Sequence, residues 1–113
     1  MVNINGNDIS INKKNSAVID INLFNPDGSN FNPSPDDVVT FSIKRMMSSE
    51  MYMMKKEVTP NYLGLCSFSF NADELDIPVG KYLYDVKIYH TDGREETVIN
   101  PSLFEIVEVV NND

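Results

Sequence analysis

Cysteine and histidine are the side chains in this sequence best suited to nucleophilic catalysis, and the chain has one of each, Cys66 and His90. A nucleophile of this kind needs a base beside it to take its proton. Cys66 falls on the apolar side of an alternating segment, whereas His90 falls at a turn between two such segments. We therefore expect a buried structural thiol and a solvent-exposed imidazole that do not meet.

Metal binding would have to rely on carboxylates, because one histidine and one cysteine cannot complete a tetrahedral zinc site. Two polar segments offer the oxygen ligands that calcium prefers: Asp73, Glu74 and Asp76 in one, and Asp27 with Asn30 in the other. Neither has the ligand spacing of a known calcium loop. The favoured interpretation is that these side chains are solvated or cap backbone amides, and calcium is the open alternative.

Other enzyme classes find as little support. Glycoside hydrolysis needs two carboxylates in a walled cleft, with one of them kept protonated, and no segment of the sequence provides such a setting. We expect no enzymatic activity, no cofactor and no small-molecule substrate.

The charge balance narrows the range of partners. The chain carries 17 acidic and 9 basic side chains, a formal net charge of −8, so it repels phosphate backbones and anionic lipid surfaces. No apolar run is long enough to span a bilayer, and residues 1–10 lack the features of a signal peptide. We expect synthesis in the cytoplasm, no nucleic-acid partner and no membrane.

Alternation of apolar and polar residues dominates the sequence and predicts β-strands. Four such rows are expected to face the core: Ala17, Ile19, Ile21 and Leu23; Val39, Phe41 and Ile43; Cys66, Phe68 and Phe70; Tyr82, Tyr84, Val86 and Ile88. With a first strand at 8–11, the pattern predicts about seven strands in a single all-β sandwich domain, residues 1–113. The first few residues and residues 111–113 are expected to fray or to bind a partner.

The last two long strands are expected to form a hairpin. Asp92 and Gly93 carry the turn signal between them. Pro101 interrupts the second strand at 100–102, which predicts a kink or bulge, and pairing should resume over 103–109. The polar segment 25–36, rich in proline, predicts a surface loop anchored by Phe31.

The segment 46–58 is unusual in composition, since it contains five of the six methionines. Met47, Met51, Met54 and Val58 lie at helical spacing, which leaves a short helix as an alternative. We favour a turn at 48–50 followed by a strand over 51–58, because neighbouring strands make a hairpin consistent.

Flexible thioethers suit an adaptable contact surface, although some of these side chains would fill the core. The residues predicted to form an interface are Met46, Met47, Met51, Tyr52, Met53, Met54 and Phe31.

The segment 75–89 resembles the turn and strand of fibronectin-type and immunoglobulin-like domains, in which a tyrosine after a proline and glycine turn closes a corner. Pro78 and Gly80 supply the turn, and Tyr82 would be that tyrosine. The resemblance implies an immunoglobulin-like (fibronectin III-like) antiparallel β-sandwich.

A second resemblance extends over most of the chain, through residues 37–45, 80–86, 91–93 and 100–106. In these segments the chain is similar to small stand-alone immunoglobulin-like proteins of tailed bacteriophages and prophages. The resemblance implies a non-enzymatic virion component, an adaptor or decoration protein of the tail, baseplate or capsid. Its partners would be other virion proteins in a homo-oligomeric or hetero-oligomeric assembly. The alternative is a binding module for host-surface carbohydrate or another receptor, using aromatic residues such as Phe31, Tyr62 and Tyr89.

Overall fold

The computed structural model describes residues 2–24, 27–29, 34, 36–45, 53–61 and 64–108, without the side chains of residues 2–5. The regular structure within these ranges is entirely β, in eight strands. They are β1 (Val2–Asn5), β2 (Asp8–Asn12), β3 (Ala17–Asn22), β4 (Val38–Lys44), β5 (Met54–Val58), β6 (Leu65–Phe70), β7 (Gly80–Tyr89) and β8 (Glu95–Val107). The all-β prediction is confirmed. The described ranges include no helix long and apolar enough to cross a membrane.

The eight strands form two sheets. The larger has the order β1-β2-β8-β7-β4-β5, and the smaller contains β3 and β6. Of the two alternatives predicted for the chain ends, fraying is wrong for 2–5, because β1 pairs with β2 in an antiparallel ladder. Residues 111–113 lie outside the described residues. The expectation of antiparallel pairing throughout is also wrong, because β2 runs parallel to β8. The rest of the domain forms the long crossover that a parallel pair requires.

Aromatic residues join the two sheets. The ring centroid of Phe41, in β4, lies 5.4 Å from those of Phe68 and Phe70 in the small sheet. On its own sheet, Phe41 stacks on Tyr84 with centroids 4.8 Å apart. The inner faces therefore pack together as in a β-sandwich. All four predicted inward rows are confirmed, with Ile21 partly buried and the other members buried.

The hairpin between β7 and β8 is confirmed. Its turn is closed by a 2.8 Å hydrogen bond from the His90 amide to the Arg94 carbonyl. Gly93 has a φ of 91°, a conformation that glycine adopts without strain. The predicted bulge is also present: Tyr84 pairs with Ser102 but Val86 pairs with Ile99, so β8 has an extra residue around Pro101.

The segment rich in methionine is a strand from Met54 to Val58, and Met53 lies just before it. β5 pairs with β4 in an antiparallel ladder from Met54 to Val58. The helical alternative is therefore wrong for 54–58, while the predicted turn at 48–50 lies outside the described residues.

Candidate functional site

The predicted methionine interface is described in two of its members. The amide of Met53 donates to the Ile43 carbonyl at 2.8 Å, and its side chain is 39% exposed. Met54 packs against the hydrophobic core. The remaining members lie outside the described residues: Phe31, Met46, Met47, Met51 and Tyr52. The described pair therefore divides between surface and core.

His90 is not the solvent-exposed imidazole expected from its position at a turn. Its side chain is only 10% exposed and lies between two carboxylates. Nδ1 is 3.3 Å from Oδ1 of Asp37, and Nε2 is 2.9 Å from Oε2 of Glu96. Strand register explains the contacts: Val38 pairs with Tyr89, which places Asp37 beside His90, and Glu96 pairs with Ile88 on the other side.

The carboxylates favour the protonated imidazole. The hydrogen bond to Glu96 is the main cause of a raised pKa for His90, and Asp37 adds to it, whereas burial and the Arg94 charge oppose it. Asp37 is itself buried, and its Oδ2 accepts a 2.9 Å hydrogen bond from the Ser34 amide. The cluster thus ties the end of the 25–36 connection to the β7–β8 hairpin.

This arrangement does not make His90 a general base for a thiol. Cys66 lies in β6, buried among the aromatic residues of the core, and burial raises the pKa of its thiol to about 11. The prediction of a buried structural thiol is confirmed. Both ring nitrogens of His90 contact carboxylates, so the imidazole acts as a bridge between two strands and the loop before β4.

The acidic turn before β7 uses its carboxylates locally. Glu74 and Asn71 cap each other: the Asn71 amide donates to Oε1 of Glu74 at 2.9 Å, and the Glu74 amide donates to Oδ1 of Asn71 at 2.8 Å. Glu74 also forms an ion pair with Lys56, whose hydrogen bond is the main cause of a lowered pKa for Glu74. Asp76 lies 3.8 Å from the ammonium group of Lys13. The capping interpretation is confirmed for Glu74.

The second acidic group has a similar role. Oδ1 of Asp27 accepts hydrogen bonds from the Ser29 hydroxyl, at 2.6 Å, and from the Ser29 amide, at 2.9 Å. Asn30 lies outside the described residues. In the described part of the chain, no three histidine, cysteine, aspartate or glutamate side chains converge as a metal site.

A feature that the sequence did not predict is the open edge of β3. This strand pairs with β6 on one side, where the Leu23 amide donates to the Gly64 carbonyl at 2.8 Å. Backbone groups alternate in direction along a strand, so those of Val18, Asp20 and Asn22 point to the other side. None of the described strands pairs with β3 on that side. We call these three residues the β3 edge.

An apolar cleft lies beside the β3 edge. It is lined by the β1–β2 turn, by the edge residue Asp20 and by inward residues of both sheets. The turn contributes Gly6 and Asn7, and the inward residues are Ile9, Ile19, Ile21, Tyr84 and Ile99. The Tyr84 hydroxyl donates to the Asn7 carbonyl across the cleft. Burial and the charge of nearby Asp8 raise the pKa of Tyr84 to about 12. The cleft is therefore apolar inside, with the carboxylates of Asp8 and Asp20 close by.

Two other sheet edges, those of β6 and β5, are better protected. On β6, the amide of Leu65 donates to the Asn61 side chain at 2.9 Å, and its carbonyl accepts from the Asn61 amide at 3.0 Å. β5 carries charged side chains at Lys55, Lys56 and Glu57, a common means of discouraging strand addition. The β3 edge instead presents Val18, which is 60% exposed.

Tyr82 makes the contact that the resemblance to fibronectin-type domains implies. It is buried at the start of β7, and its hydroxyl donates to the Pro78 carbonyl at 2.5 Å. The bond closes the corner between the turn and the strand.

No family model, curated protein or solved structure matches this chain.

Proposed function

We propose that this chain is a non-enzymatic structural module of a bacteriophage particle, an adaptor or decoration protein of the tail, baseplate or capsid that docks through its surface. The observation that carries the docking proposal is the β3 edge beside its apolar cleft. Exposed strand edges bind extended segments of other proteins through backbone hydrogen bonds. The phage setting rests on the resemblance of the sequence.

The proposal includes an immunoglobulin-like (fibronectin III-like) topology. The pairing of β3 with β6 corresponds to strands B and E of that fold, and the adjacent strands β4, β7 and β8 correspond to C, F and G. The bond from Tyr82 to Pro78 matches its tyrosine corner.

The described reactive groups support a role without catalysis. The thiol of Cys66 is buried, the imidazole of His90 lies between two carboxylates, and Glu74 caps a backbone amide. Each group has a structural role where it lies. The partners are other virion proteins in a homo-oligomeric or hetero-oligomeric assembly, and the protein resides in the virion.

Purified particles test this proposal. Virions of a phage that carries the gene should contain the protein in many copies per particle, as measured by quantitative mass spectrometry after density-gradient purification. Electron microscopy of the same particles, with an antibody against the protein, should place it on the tail, baseplate or capsid. Recovery of the protein only from the host cytosol, with none in the particles, would contradict the proposal.

The second candidate, a module that binds host-surface carbohydrate, is favoured by one observation. Tyr89 is 37% exposed on the outer face of the large sheet, beside a shallow groove that Thr40, Lys55 and Glu57 also line. An exposed aromatic ring flanked by polar groups suits a sugar face. Saturable binding on a glycan array that Tyr89→Ala abolishes would support this function, and equal binding by the variant would exclude this groove.

A further inference from the structure

We infer that the β3 edge receives an extended segment of a basic partner protein, in which apolar residues alternate with lysine or arginine. This inference rests on the proposed docking function and names the chemistry of the partner. The added strand would extend the small sheet from β3-β6 to three strands.

Backbone groups provide the first part of the argument. Val18, Asp20 and Asn22 each direct an N–H and a C=O to the open side, so a strand laid along β3 finds three donors and three acceptors at regular spacing. The opposite row, at Ala17, Ile19 and Ile21, is already paired with β6. An added strand therefore needs no rearrangement of the existing ladder.

The cleft determines one face of the added strand. Side chains of neighbouring strands share faces, so alternate residues of the added segment lie beside Ile19 and Ile21. On that side the cleft continues to Ile9, Tyr84 and Ile99 across the domain. Ile9, Ile19 and Tyr84 are already buried, so apolar side chains of the partner would cover mainly the half-buried Ile21 and Ile99.

Charge determines the other face. The outer side of the β3 edge carries Asp20, whose Oδ1 accepts a 2.6 Å hydrogen bond from the Ser67 hydroxyl. Asp8 lies near Tyr84 of the cleft, and the whole chain has a formal charge of −8. Basic residues of the partner would lie opposite Asp20. A second copy of this chain fits less well as the partner. Antiparallel pairing of two β3 edges about their middle residue places one Asp20 opposite the other, and both chains are acidic.

The test is a nuclear magnetic resonance titration of the 15N-labelled full chain with a blocked eight-residue peptide of alternating lysine and valine. The amide signals of Val18, Asp20 and Asn22 should shift and become protected from hydrogen exchange. The same peptide with glutamate in place of lysine should bind more weakly. Added salt should lower the affinity for the lysine peptide.

Two proline variants locate the site. Val18→Pro removes a donor on the open side and leaves the ladder with β6 intact, so affinity for the lysine peptide should fall at least about fivefold. Ser69→Pro is the matched control, because Ser69 pairs with Val18 and its amide points away from β3, to the other side of β6. The affinity of this variant for the lysine peptide should stay within about twofold of the wild-type value. Asp20→Lys provides a second variant in case Val18→Pro fails to fold. It should lower the affinity for the lysine peptide and raise the affinity for the glutamate peptide.

Several results would overturn the inference. One is that the lysine peptide leaves the amide signals of the β3 edge unchanged. Another is that Val18→Pro and Asp20→Lys bind the lysine peptide as tightly as the wild type does. A third is that the wild type binds the lysine and glutamate peptides with equal affinity. Self-association of the wild type that Val18→Pro prevents would identify a second copy as the occupant instead. The amount of protein in virions separates the two proposals. If virions contain normal amounts of the Val18→Pro variant, strand addition at the β3 edge is refuted, but the role as a docked virion component stands. If the wild type binds the peptide at the β3 edge but is missing from virions, strand addition stands and the role in the virion is refuted.

Discussion

Replacing Phe41 by alanine should destabilise the domain more than any conservative surface change, because this ring joins both sheets. Phe41 is fully buried, with four aromatic rings around it: Tyr84 at 4.8 Å, Phe68 and Phe70 at 5.4 Å, and Phe104 at 6.1 Å between centroids. Loss of a buried phenylalanine costs about 3–5 kcal/mol, and the cost rises with the cavity that remains. Four rigid neighbours fill such a cavity poorly, so we expect the upper part of that range.

The assay is urea unfolding followed by tyrosine fluorescence and circular dichroism, since the chain has five tyrosines and no tryptophan. Small domains have a free energy of unfolding of about 5–15 kcal/mol, so Phe41→Ala should lose a large part of it. Phe24→Ala is the matched control: Phe24 is 60% exposed, and its loss should change the free energy of unfolding by about 0.5 kcal/mol or less. A cost for Phe41→Ala below about 1.5 kcal/mol, or equal costs for both variants, would refute the packing described here.

Two further predictions concern polar contacts. Tyr82→Phe leaves the Pro78 carbonyl without its donor and should lower the free energy of unfolding by about 1–2 kcal/mol in urea titrations, and an unchanged midpoint would contradict the corner contact. The raised pKa of His90 means that the folded chain holds a proton that the unfolded chain releases. Its stabilisation is therefore fully present below the unfolded pKa of about 6.5 and is lost as the pH rises through the folded-state pKa. His90→Gln should flatten this decline when unfolding is measured from slightly acidic to slightly alkaline pH, and a slope identical to that of the wild type would contradict the contacts with Asp37 and Glu96.

The sequence predicts strand faces well and strand neighbours poorly. A period of two is a local property, so the inward rows, including Tyr82 to Ile88, follow directly from alternation. Direction and order depend on contacts between distant segments, and alternation does not reveal that β2 runs parallel to β8. The burial of Thr40 and Ser42 likewise depends on strand order and not on alternation. β4 lies between β5 and β7, so side chains of both neighbouring strands flank its outer face.

The candidate site depends even more on such distant contacts. His90 and Asp37 are 53 residues apart in sequence, and only the register of β4 and β7 brings them together. The β3 edge likewise follows from sheet order, because alternation at Ala17 to Asn22 is the same whether one or two strands pair with β3. The methionine interface, by contrast, was predicted from composition, and Met53 and Met54 show that neighbouring methionines lie in different environments.

Hydrogen exchange at the amides of β3 tests the open edge most directly. The amides of Val18, Asp20 and Asn22 should exchange with solvent in the free protein, while those of Ala17, Ile19 and Ile21 should exchange more slowly by about two orders of magnitude or more. This alternation should disappear when a partner strand is added. Uniform protection of all six amides in the free protein would contradict the account, because it would mean that the β3 edge is already paired.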